Sequence, residues 1–515
     1  MKKMKLSAIF VLIFALGLHI AGKSYAQNRQ EAPPEYKEVM AALKIEDLNA
    51  QIKELERIKA AYPTSAFKAQ IDNLIVSAKI GLCTAIDSVV ELQKPLIEKT
   101  QGFRRLGSYY TASMQILTHK NLKQFDKKRV TEIIRGYTAA GIKTAADPEV
   151  LKSIPAEQRK YVKVYAADMY LVEARAYLNE DNAGKSLETL DKFKKEGGEP
   201  DSIFYYTAGS AYAKLGKIKE AYEAYFEAAA DNFEDSIAKA KELYQKLFGK
   251  TEGFDAKLEA KWRELPYRPE PFKPTAEWKG KTVLAEIFTG SECPPCVGAD
   301  LGFDGLIESY GPKYAAVLEY HLPIPRPDPM MNPATKKRQD YYGINSTPTA
   351  VFDGDKKVGG GSRGMAQDKF KEYCGEINAK IYDTPQVALK ASAARKGDVV
   401  KIDYSFDKII PNVEYHLALV QKEEKCRGGN GIVFHKMVVR EFLTIDPAAK
   451  PAQATMNLAE SEKLAAAHLA DYEKEKNFQF GEKHFLIDRT NLGVVFFAQD
   501  KASKKVFNAV VADVK

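Results

Sequence analysis

The chain has 515 residues, 45% of them hydrophobic and 28% charged, and a formal net charge of +8. That length suggests about three or four domains at roughly 150 residues each, and the composition lets each bury a core. Four lysines and no acids fall in the first 26 residues, leaving an evenly spread +4, too small for a nucleic-acid-binding surface. Five cysteines are too few, and odd in number, for a disulfide-stapled scaffold.

Residues 1–26 carry a basic start (Lys2, Lys3, Lys5), an apolar stretch and a small-x-small site ending at Ala26. This pattern is that of a secretory signal peptide. The apolar run is short for a spanning helix of about 20 residues and is interrupted by His19. The mature chain is therefore expected to be exported to the periplasm or cell envelope with no stable membrane span. In such a compartment disulfides persist.

Residues 27–262 are expected to be α-helical, with few glycines and apolar residues at three- and four-residue spacing. Tyr62–Ser65, containing Pro63, is expected to turn a helical hairpin. Tyr205, Gly209, Tyr212, Gly216, Ala221, Tyr225 and Ala228 have the spacing of a tetratricopeptide-like repeat. A looser copy runs through Ala174, Tyr177 and Leu190. Such helices bind partners or pack on neighbours, and an irregular bundle is the alternative.

The proline-rich segment Glu264–Lys281 is expected to be an extended linker. Residues 263–382 alternate strands and helices before a terminal hairpin, which predicts an α/β domain with a mixed sheet. Residues 383–515 alternate polar and apolar positions, which predicts an all-β sandwich with a helical insertion near 458–476.

The chemistry concentrates at Cys293-Pro294-Pro295-Cys296, after a strand and at a helix start. There, free N–H groups and the helix dipole stabilise a thiolate. The second cysteine, about a turn on, resolves a mixed disulfide. Pro294 and Pro295 suit a first helical turn and stiffen the loop. The motif alone leaves redox, metal and structural roles open.

"WKGKTVLAEIFTGSECPPC" followed by "INSTPTAVFDG" resembles the thioredoxin-like fold, and particularly the periplasmic TlpA/ResA-type thiol–disulfide oxidoreductases. The resemblance spans roughly Pro271 to Ile381. The strands after 385 are similar to a β-sandwich that follows the thioredoxin domain in outer-membrane-protein-related families. The resemblance implies that Cys293 attacks a substrate disulfide and Cys296 resolves it. It also implies a cis peptide at Thr347–Pro348, facing the cysteines and offering backbone to a substrate chain. No cofactor is implied. The implied partners are an exported protein substrate with cysteines and a redox partner of unspecified identity, and the reductase direction is slightly favoured.

Two departures stand out. Glu292 replaces the tryptophan that usually precedes the first cysteine, and its charge opposes the helix dipole. The family's buried acid, six residues before that cysteine, falls on Ile287. Glu286 serves as proton acceptor only if a bulge brings it round, and is otherwise a solvated or ion-paired strand residue.

His321, at a strand end, either supports a thiolate, completes a copper or zinc site with Cys293 and Cys296, or is an ordinary strand-end residue. Asp328 reads as a loop residue and His435 as structural. Cys83 and Cys374 read as helical core cysteines, and Cys426 as a loop thiol. A binding or assembly protein, with the α/β domain as scaffold, is the competing reading.

Overall fold

The computed structural model describes residues 34–156 and 159–515. The signal-peptide segment lies outside the described residues. The described chain mixes helical and sheet regions and divides into two compact units, the first the described residues up to Ala228 with Glu242–Leu247, the second Ala229–Lys241 with Phe248–Lys515.

The first unit is helical. Helices Leu48–Ala61 and Lys68–Leu82 flank the Tyr62–Ser65 stretch. Side chains of Asp47, Asp126, Asn182 and Asp201 accept the free N–H groups of the helices they open. Ile80, Leu106, Ile116, Val130, Ile134 and Met169 form one core. Helices Ser202–Lys214 and Ile218–Ala229 meet at Gly209, where an added Cβ would lie 3.0 Å from the Tyr225 ring. The Ser210 hydroxyl lies 2.8 Å from the Tyr225 hydroxyl. The small residue thus makes room for the buried aromatic.

The second unit is built on an eight-stranded sheet in the order β11-β10-β7-β8-β2-β1-β3-β4. Its strands are β1 (Val283–Thr289), β2 (Ala315–His321), β3 (Thr349–Phe352), β4 (Asp355–Val358), β7 (Val413–Lys425), β8 (Phe434–Ile445), β10 (Leu492–Asp500) and β11 (Val506–Asp513). A second sheet joins β5 (Leu389–Lys396), β6 (Val399–Phe406) and β9 (Gln453–Asn457) in the order β5-β6-β9.

Strand β1 runs parallel to β2 and antiparallel to β3. Side-chain alternation along β1 divides its contacts between two faces. Val283, Ala285 and Ile287 pack with helix α1 (Val297–Tyr314) and helix α3 (Ala366–Asn378). Leu284 and Phe288 pack with helix α2 (Pro333–Tyr342) and with Val420, Val439 and Val495. Helix α4 (Leu458–Lys476) occupies the expected insertion.

Two expectations about boundaries change. The strands from 413 onward do not form a self-contained sandwich, because β8 lies beside β2 and the sheet is continuous. The three-stranded sheet does pack over β7 and β10, through Val400, Ile402, Leu417, Leu419, Val494 and Phe496. Polar–apolar alternation reports which face of a strand is buried, not which edge it pairs with.

The proline-rich segment is extended but not a free linker. Tyr267 donates to the Leu301 carbonyl (2.8 Å), Phe272 N–H to Ser309 O (2.8 Å), and the Phe272 ring stacks on Tyr310. Its aromatics strap it to α1. Helix Phe254–Arg263, expected in the helical region, also belongs to the second unit, with Arg263 bonded to Glu423 of β7.

Candidate functional site

The CPPC stretch leaves the end of β1, passes through a 3₁₀ turn at Pro294–Cys296 and enters α1. Cys293 and Cys296 form a disulfide, with Cα atoms 5.3 Å apart. Both cysteines are fully buried. Pro294 and Pro295 occupy the start of the 3₁₀ turn, where the missing N–H groups cost nothing.

Thr347–Pro348 is a cis peptide. The Thr347 hydroxyl lies 3.4 Å from Cys293 Sγ and donates to Ile324 O (2.7 Å). A glycine run closes over the other side. Gly361 N–H donates to Pro295 O, and Gly298 N–H to Gly361 O (both 2.8 Å). At Gly360 an added Cβ would lie 1.8 Å from Pro295 O, so only glycine permits this approach.

Glu292 is held by a loop from the far half of the sheet. Its Oε1 accepts Gly429 N–H (2.8 Å), and Asn430 N–H donates to Ser291 O (3.0 Å). An added Cβ at Gly429 would lie 2.3 Å from Glu292 Oε2. Glu292 thus anchors the Gly428–Gly431 loop against the chain entering Cys293.

Glu286 is not turned towards the cysteines. It is fully buried and accepts from Arg338 Nε (2.7 Å), Arg338 Nη2 (2.9 Å), Tyr342 Oη (2.7 Å) and Tyr320 Oη (3.1 Å). No bulge interrupts the β1 pairing that would bring it round. All its acceptor capacity serves a buried ion pair, which replaces the proton-acceptor reading.

His321 does not offer a ring nitrogen to the cysteines either. Its Nε2 lies 2.7 Å from Glu319 Oε1 and its Nδ1 3.0 Å from Asp328 Oδ2. Burial opposes its charge, but the Asp328 carboxylate and then Glu319 outweigh this and raise the imidazole above its ordinary value. Burial likewise opposes the Glu319 charge, and hydrogen bonds from His321 and His435 outweigh it and lower that carboxyl. A copper or zinc site made of Cys293, Cys296 and His321 is therefore not assembled.

Asp328 lies in a loop, as expected, and is fully buried there as a hub. It accepts Ser291 N–H (2.6 Å) and Met330 N–H (2.8 Å) besides His321. It thereby ties the histidine to the residue two before Cys293. His435 reaches Glu319 Oε1 through Nδ1 (3.3 Å) and the Cys426 carbonyl through Nε2 (3.1 Å).

Asp300, one turn after Cys296, is 5% exposed, and neither of its carboxylate oxygens has a hydrogen-bond partner. Burial, then the Glu319 charge, raises its carboxyl well above the ordinary range. Sequence reading missed this cluster. Its legible signals were the Glu319-x-His321 spacing, which puts both side chains on one face of β2, and an acid four residues after the second cysteine.

Cys83, Cys374 and Cys426 are free. Cys426 is the expected free loop thiol, just past the end of β7, and it is buried, which raises its pKa. Among the described residues no helix is long and apolar enough to cross a membrane. No family model, curated protein or solved structure matches the chain.

Proposed function

We propose that the chain is an exported thiol–disulfide oxidoreductase whose residues 263–382 form a thioredoxin-like domain acting on protein disulfides. The observation that carries this reading is the Cys293–Cys296 disulfide at the entrance of α1, with the Thr347 hydroxyl 3.4 Å from Cys293 Sγ.

In the reductase direction the Cys293 thiolate attacks one sulfur of a substrate disulfide and expels the other as a thiolate, leaving a mixed disulfide. The Cys296 thiolate then attacks Cys293 Sγ, releases the second substrate thiolate and forms the intramolecular disulfide. An external dithiol donates the two electrons that restore the reduced pair. The α1 N-terminus stabilises the Cys293 thiolate, joined by the Thr347 hydroxyl once its proton turns from Ile324 O to the sulfur, and Pro348 shapes the docking groove. The opposite direction uses the same steps in reverse, and the partner's potential selects between them.

A second reading is a binding or assembly protein with a structural disulfide. The complete burial of both cysteines favours it. Under the first reading, the Gly428–Gly431 and Gly359–Gly361 segments must shift to admit a substrate. Cys296→Ser is expected to trap covalent adducts between Cys293 and exported proteins. Absence of adducts, together with no disulfide reductase activity in the unsubstituted protein, would leave only the binding reading.

A further inference from the structure

Glu319 and His321 of β2 and His435 of β8 are buried together, and one ligand atom from each lies within 4.8 Å of the other two. Glu319 Oε1 is the meeting point, 2.7 Å from His321 Nε2 and 3.3 Å from His435 Nδ1. Each imidazole is held from behind through its other nitrogen, His321 by Asp328 and His435 by the Cys426 carbonyl. Such outer partners are what fix the orientation of metal-binding histidines. Asp300 supplies an independent sign. Its buried carboxylate makes no well-formed hydrogen bond, the Thr289 hydroxyl alone drawing on it, and the charges acting on it most strongly include Glu319 and His321.

We propose that Glu319, His321 and His435 form a binding site for a divalent transition-metal ion, with Zn²⁺ the ion best matched to the donors. Two imidazoles with carboxylate oxygens are a ligand set that zinc takes, with bonds of about 2.0–2.2 Å. Around a tetrahedral ion with such bonds, neighbouring ligand atoms lie about 3.4 Å apart. The His435–Glu319 separation of 3.3 Å already meets this, and the His321–Glu319 pair needs to open modestly. Both ring nitrogens of His321 face carboxylates, so the ion displaces the Nε2 proton, which leaves to solvent. Binding therefore strengthens as pH rises.

The site is distinct from one using the cysteines. It lies where β8 joins β2, and the backbone ladder between these strands consists of the single pair Glu319↔Val438. An ion there would clip the two halves of the sheet together. Through Asp328 and Ser291 it would also brace the chain leading into Cys293.

Because the cluster is buried, the test loads the ion during folding. The oxidised full chain is unfolded with chelator and refolded with one equivalent of Co²⁺ or Zn²⁺. One ion per chain is expected in native mass spectrometry, with cobalt d–d bands and no thiolate charge-transfer band. Asp328→Asn, a positioning change, is expected to weaken binding about 10- to 100-fold, and His435→Gln to abolish it. Refolded unsubstituted protein with no retained ion, or with a thiolate charge-transfer band, would overturn the proposal. So would His435→Gln binding as tightly as the unsubstituted chain. Should His435→Gln fail to fold, the cobalt spectrum of the unsubstituted protein still decides the ligand set.

Discussion

Glu292 holds a loop against the chain entering Cys293, and Thr347 lies beside the Cys293 sulfur. Glu292 accepts the Gly429 N–H at 2.8 Å, and the contact fixes a loop over the approach to Cys293. Removing one such bond costs about 1 kcal/mol. Glu292→Ala is therefore expected to quicken reduction of the disulfide by a small dithiol several-fold, measured by stopped-flow or alkylation quench. An unchanged rate would mean that the loop does not limit access. Thr347→Val removes the hydroxyl beside Cys293 Sγ. In the reduced protein it is expected to raise the Cys293 thiol pKa, read from thiolate absorbance against pH.

At the scale of the elements, buried ion pairs stitch the second unit. Arg338 of α2 grips Glu286 of β1 and lies over the rings of Tyr342 and Phe497. Lys281 bonds Asp353 (2.8 Å) and the Val506 and Phe507 carbonyls at the start of β11. Removing one partner strands the other charge, so Arg338→Met and Lys281→Met are each expected to cost about 3–5 kcal/mol in denaturant unfolding.

These elements also divide what was legible from what was not. The β1–CPPC–α1 order could be read from local spacing, and the cis Thr347–Pro348 peptide only through the resemblance that its Thr-Pro motif carries. The insertion at 458–476 was legible as an interruption of the strand alternation, as a helix or a charged loop, and it is a helix. The role of Glu286 was not, because its partner Arg338 is 52 residues away. Nor was the joining of β8 to β2, since edge pairing leaves no periodic trace along a strand. The packing of Phe272 and Tyr267 onto α1 was hidden behind four prolines that locally read as a linker.

Across the second unit, the cluster around His321 makes stability depend on pH. Glu319 and Asp328 face His321 at hydrogen-bond distance, His435 packs edge-on against it, and Asp300 acts on it from α1. The raised His321 contributes stability that is fully present below about pH 6.5 and lost as pH rises through its folded value. The lowered Glu319 and Asp328 contribute stability present above the ordinary carboxylate range and lost as acid protonates them. Asp300, raised by burial, instead costs stability once pH exceeds its unfolded value. Metal-free protein is therefore expected to lose at least about 1.4 kcal/mol between pH 6.5 and 9, the worth of one pKa unit. Urea unfolding at both pH values, in chelator, checks this, and zinc should remove most of the loss. Asp300→Asn is expected to leave the metal-free stability unchanged or higher.

The central claim is that Cys293–Cys296 is a redox pair rather than a structural bridge. The most direct measurement titrates the native protein against dithiol buffers of known potential, counting alkylated cysteines by mass spectrometry while circular dichroism follows the fold. The account predicts that Cys293 and Cys296 become alkylated together, with the fold intact and a potential above about −300 mV. Reduction only below that value, or only as the protein unfolds, would contradict it.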